Sequence, residues 1–137
     1  MDAAPTTFAA LPTDPRLGVP VPFASSSPAE LDKRRVTQCA LSRVCGVCGA
    51  GLGRPIAFLG SAQEEGRNAF HFPPTHEACA TALLAAYAGL AGPVLGQEEA
   101  PAAWVLVTTA AFEFVRPGRE DADRRPTFEP SAILSRT

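Results

Sequence analysis

The residues with the most definite chemistry are two short pairs, Cys45-Gly-Val-Cys48 and His76-Glu-Ala-Cys79. Thiolates and imidazoles are the ligands Zn²⁺ prefers, and four of them close a tetrahedron. A Cys-x-x-Cys in a tight turn aims two sulfurs at one point, and residues three apart at a helix start share a face. Each pair can therefore supply one edge of the tetrahedron. Cys45, Cys48, His76 and Cys79 are the expected ligands of one structural Zn²⁺. Four protein ligands leave no open position for a substrate water, and the metal would add folding free energy to a small apolar core.

A different use of the thiols counts Cys39 in. Cys39, Cys45, Cys48 and Cys79 come close to the plant-type ferredoxin spacing, which defines an iron–sulfur electron carrier as one alternative. Against it, Cys39 falls inside an expected helix and His76 would be idle, so Cys39 reads better as a small buried hydrophobe. A thioredoxin-like redox role for Cys45 and Cys48 is disfavoured, because Gly49, Gly51 and Gly53 cannot open a helix.

His71 and Glu77 are the weaker candidates for acid–base work. They define the other alternative, a small zinc metalloenzyme with a pocket near both. Glu77 has a simpler role as a carboxylate in the first turn of a helix, favourably placed against the macrodipole. The balance of residues leans away from an enzyme. Lys33, Arg34, Arg35 and Arg43 are candidate phosphate or partner contacts, but residues 30–80 hold six basic against five acidic side chains. A solvated helix face is the default reading of that cluster.

The elements that must position these residues can be read from punctuation and periodicity. Ser27-Pro28-Ala29-Glu30 has the form of a helix start, with Ser27 as N-cap and Glu30 closing a capping box. That predicts a helix from about Pro28 to Arg43. Residues 55–59 and 68–72 read as the two strands of a hairpin joined by a polar loop, 61–67. Thr75 can cap a helix whose buried stripe is Leu83, Leu84, Tyr87 and Leu90. The Val-, Thr- and Phe-rich run from Trp104 to Val115, between Pro101 and Pro117, predicts a strand that extends the hairpin into a sheet.

A Cys-x-x-Cys-Gly turn, a hairpin, and a helix whose first turn carries the second ligand pair resemble the treble-clef zinc fingers over roughly residues 44–90. The resemblance implies an α+β fold: a small treble-clef-like zinc domain with a preceding helix, a C-terminal strand and extended tails. It does not choose among nucleic-acid binding, protein binding and catalysis, all of which that architecture serves. The chain also resembles short actinomycete proteins in its Asp14–Phe23 segment and in Pro-Pro-x-His-Glu-x-Cys, here Pro73 to Cys79. That likeness names no activity.

Composition sets the outer bounds. The chain has 137 residues, 46% hydrophobic and 19% charged, with a net charge of −2. One domain with loose ends is expected: a Pro-rich arm over 1–26 whose Leu17, Val19, Val21 and Phe23 dock on the domain, a zinc-binding domain over 27–116, and a charged mobile tail over 117–137. The net charge excludes a generally basic nucleic-acid binder. Residues 79–96 are uncharged but too rich in Ala, Gly and Pro to be a membrane span, and the first residues lack the pattern of a secretory signal, so the expected location is the cytoplasm. These readings together predict a small zinc-binding protein that acts as a binding or regulatory accessory module through protein or nucleic-acid contacts.

Overall fold

The structure, a computed structural model, describes residues 6–137. Residues 1–5, the start of the expected arm, lie outside the described part. A four-stranded antiparallel sheet in the order β2-β1-β3-β4 organises the chain, with β1 at Ile56–Ser61, β2 at Thr75–His76, β3 at Trp104–Val115 and β4 at Thr127–Arg136. Four helices accompany it among the described residues: α1 (Thr6–Ala9), α2 (Lys33–Ser42), α3 (Ala62–Arg67) and α4 (Glu77–Tyr87). The α+β class expected from the sequence is observed.

All six residues of β1 are buried, because its two faces feed two cores. Ala57 and Leu59 join Cys45, Cys79, Leu83, Tyr87 and Val19 on one side. Ile56 and Phe58 join Cys39, Val36, Phe70, Val107 and Phe128 on the other. The second core is aromatic: Phe58 lies 5.7–6.0 Å from Phe70, Phe112 and Phe128, centroid to centroid, in stacked, edge-on and tilted arrangements. Strand alternation thus separates the three cysteines of the two pairs from Cys39.

Helix α2 starts later than expected. Its N-cap is Asp32, whose Oδ1 accepts from the N–H groups of Arg34 (3.0 Å) and Arg35 (3.2 Å). Ser27 instead accepts from the Glu30 N–H in a local turn. The carbonyls of Pro28 and Ala29 cannot begin a helical ladder because they accept from Leu95 and Gly96. At the other end Arg43 takes a left-handed conformation (φ 52°) and closes the helix at Ser42.

The expected hairpin is corrected in its second strand. Ser61 and Glu64 form a reciprocal capping box that turns the chain into α3, where a loop was expected. Residues 68–72 then contribute only an isolated bridge, Phe70 to Phe128. The antiparallel partner of β1 on that side is the short β2, in register Ile56–His76 and Ala57–Thr75. Thr75 does not cap α4; its hydroxyl donates to the Ala57 carbonyl at 2.8 Å, and His76 holds the N-cap position.

β3 is found over the expected residues and pairs with β1. The segment expected as a mobile tail contains β4, which pairs with β3 from Val107–Arg136 to Val115–Thr127. Pro130 is compatible with this because β4 is an edge strand. The arm carries the one-turn α1, and Val19 is buried in the first core, while Phe23 and Ala24 donate to the carbonyls of Val47 and Gly46. Among the described residues no helix is long and apolar enough to cross a membrane.

Candidate metal centre

The chain after α2 folds into a tight knuckle. Val44 bridges to Gly51, the Cys45 N–H donates to the Ala50 carbonyl, and the Gly49 N–H returns to the Cys45 carbonyl. Gly49 has a positive φ of 78°, and a Cβ there would stand 2.9 Å from the Phe23 ring, so only glycine fits both constraints. The turn presents the sulfurs of Cys45 and Cys48 together. The register of β2 against β1 brings His76 to the same place, and the first turn of α4 adds Cys79.

The ligand atoms of Cys45, Cys48, His76 and Cys79 all lie within 4.8 Å of one another. His76 Nδ1 stands 3.4 Å from Cys48 Sγ and 3.7 Å from Cys79 Sγ. With Zn–S near 2.3 Å and Zn–N near 2.0–2.1 Å, a tetrahedral S···N edge is about 3.6 Å and an S···S edge about 3.8 Å. The two S···N spacings at His76 match the first, and the sulfurs, all within 4.8 Å of one another, lie within about 1 Å of the second.

The surroundings also suit a cation. His76 Nε2 lies 2.8 Å from the Gly51 carbonyl, which can only accept, so Nε2 carries the proton and Nδ1 turns its lone pair to the sulfurs. Cys45 Sγ accepts from the N–H groups of Val47 (3.3 Å), Cys48 (3.5 Å) and His76 (3.4 Å), stabilising a thiolate. Burial raises the pKa of Cys45 above the ordinary thiol value, more than these bonds and despite them. Burial raises Cys79 as well, and the neighbouring Cys45 and Cys48 thiolates push it further. Crowded buried thiols whose ionisation is opposed are what a divalent cation can offset, and its binding must displace their protons. The donor set fits Zn²⁺ in type, number and span.

Cys39 stands outside this set. It is fully buried in the aromatic core, and burial pushes its thiol up to about 12. The four-cysteine cluster that an iron–sulfur carrier would need is therefore not assembled: the group brought together contains His76 in place of Cys39.

His71 and Glu77 are not brought together either. Glu77 is exposed in the first turn of α4. His71 is buried, with Nδ1 2.7 Å from Glu64 Oε2 and Nε2 3.2 Å from Asp123 Oδ2. Glu64 Oε2 also accepts from the His71 N–H (2.9 Å), and Oε1 accepts from the Ser61 N–H (3.1 Å) and Gln97 Nε2 (2.7 Å). Burial alone would raise this carboxyl, but the bonds from His71, Gln97 and Ser61 outweigh it and hold Glu64 below its ordinary value. Asp123 is also held below its ordinary value, chiefly by its bonds with Arg125. Each ring nitrogen of His71 thus has a carboxylate oxygen within hydrogen-bond distance. The network borders a groove of about 640 Å³. Sequence reasoning missed Glu64, Gln97, Asp123 and Arg125; the one available signal was Ser61-x-x-Glu64, a capping-box pattern.

The basic group divides by use. Arg35 lies over the Phe23 ring (5.3 Å) and Arg43 over Phe112 (5.0 Å), while Lys33 and Arg34 are exposed with no carboxylate partner among the described residues.

Compared with family models, curated proteins and solved structures, the chain matches none. These comparisons lend no support to the expected likeness to treble clefs or to actinomycete proteins; what the structure shows is a Cys/His cluster able to hold a metal ion.

Proposed function

We propose that Cys45, Cys48, His76 and Cys79 hold one structural Zn²⁺ at the heart of a treble-clef-like unit. Knuckle, β1, β2 and α4 follow one another in the order that architecture requires, with α3 and residues 68–74 inserted between the two strands. One observation carries the reading: four protein donors lie within 4.8 Å of one another, enough to fill a tetrahedral set and leave no ligand position for a reacting water. The protein then works by binding, as an accessory or regulatory module in the cytoplasm that contacts protein or nucleic acid. Its exposed Lys33 and Arg34 are the side chains open to a phosphate or an acidic partner.

Cobalt substitution tests the closed site. The Co²⁺-loaded chain should show the intense visible bands of a tetrahedral thiolate site, unchanged on adding azide. Bands that shift with azide mean an open coordination position and defeat the structural reading in favour of a metalloenzyme. Fluorescence anisotropy with duplex DNA then separates the partners. Binding at low salt that weakens in Arg34→Glu supports nucleic acid, and no binding at low salt removes it.

A further inference from the structure

A second site lies away from the thiols and does not depend on the zinc reading. A cavity of about 170 Å³ opens between the N-terminal turn of α2 and residues 124–126. Leu31, Val36 and Pro126 supply its apolar wall, and the His71 ring closes one side. Lys33, Arg124 and Arg125 also line it, and no acidic side chain does among the described residues.

Those three cations are not equally engaged. Arg125 is paired with Asp123 (2.9 Å) and Glu98 (3.4 Å), and it also donates to the Gly96 carbonyl. Among the described residues Arg124 donates only to the Gly118 carbonyl. Neither Arg124 nor Lys33 has a carboxylate within ion-pair distance among the described residues. In a chain with more acidic than basic residues, two unpaired cations at one apolar mouth depart from the average surface. The charge there complements an anion, and the wall complements carbon.

We propose that this cavity binds a small organic monocarboxylate with a compact apolar body, its carboxylate held by Lys33 and Arg124 and its body seated against Leu31, Val36 and Pro126. Size sets the body: an apolar cavity of about 150 Å³ takes up benzene, so one ring or a short branched chain fills this one. Arginine favours a carboxylate because its planar fork can pair both oxygens. A bare inorganic anion would leave the apolar wall wet, and a neutral ring would leave the two cations unanswered.

Isothermal titration calorimetry of the zinc-loaded full chain at low salt tests this with benzoate, cyclohexanecarboxylate, benzamide and inorganic phosphate. Benzoate or cyclohexanecarboxylate should bind saturably at one per chain, and benzamide and phosphate at least tenfold more weakly. The Lys33→Glu/Arg124→Glu variant should lose at least tenfold in carboxylate affinity with its melting temperature kept. If that variant melts early, Lys33→Gln, a change at one exposed side chain, replaces it and should weaken binding at least threefold. The proposal is overturned if neither carboxylate binds, if benzamide or phosphate binds as well, or if the variants bind like the parent. Zinc content read on the same samples keeps a failure of the metal assignment separate from a failure of this site.

Discussion

Two histidines five residues apart are put to opposite uses. His76 faces sulfurs on Nδ1 and a carbonyl on Nε2, an arrangement that anchors Nε2–H and leaves Nδ1 directed at the thiol cluster. His71 faces carboxylates on both nitrogens, an arrangement in which the chain itself supplies every partner of the ring. The chemistry of an imidazole is set by its acceptors, and here the acceptors are set by topology. His76 sits where β2 meets the knuckle, whereas His71 sits where the inserted α3 and residues 117–126 converge. The first centre gathers donors placed to hold a metal ion; the second finds its partners within the chain.

Breaking each centre should therefore look different. The largest effect is expected at the thiols. Zinc-finger peptides gain roughly 10–16 kcal/mol from the metal at neutral pH, against a total stability of about 5–15 kcal/mol for ordinary domains. Cys45→Ser or Cys79→Ser, or a strong chelator, should abolish the cooperative thermal transition seen in the metal-loaded chain. A transition kept with chelator present would make the two centres alike, each a packing feature.

Glu64→Gln should come next. It leaves four hydrogen bonds from Ser61, Gln97 and His71 facing an amide that can satisfy only part of them, and it removes the charge beside a buried imidazole. A loss of about 3–5 kcal/mol is expected, read by chemical denaturation with zinc content unchanged. Zinc lost together with stability would show that the centres are coupled across β1.

The pH dependence sharpens the contrast. The folded-state pKa of Glu64 and of Asp123 is depressed, so their contribution is fully present above the ordinary carboxyl values and is lost as pH falls through the folded ones. The melting temperature should drop on acidification below about pH 5, and Glu64→Gln should flatten part of that drop. Parallel curves for parent and variant would contradict the assignment. Arg43→Ala should have the smallest effect, about 0.5–1 kcal/mol, since it removes an exposed cation–π contact with Phe112. A larger loss would mean that the left-handed C-cap of α2 matters more than the ring contact.

How much of this was legible in the sequence follows the range of the interactions. The Cys45–Cys48–His76–Cys79 cluster was readable because each pair is local: a turn aims Cys45 and Cys48, and one helical turn relates His76 to Cys79. β3 was readable from a Val-, Thr- and Phe-rich run free of Gly and Pro. β4 was not, because Pro130 and its exposed polar positions suggest a tail until β3 supplies a partner. The start of α2 was misplaced because the capping pattern at Ser27–Glu30 is real, yet distant N–H groups from Leu95 and Gly96 claim the carbonyls that a helix would need. The Glu64–His71–Asp123 network spans some 60 positions of chain, and only its capping-box half left a local trace.

The most direct measurement of the central claim is elemental analysis of the purified full chain alongside its visible spectrum. The account predicts a colourless protein with one zinc per chain, and zinc lost in Cys79→Ser but kept in a Cys39→Ser variant. A brown, iron-containing protein that loses its metal in Cys39→Ser, or a fully folded chain that binds no metal, would contradict it.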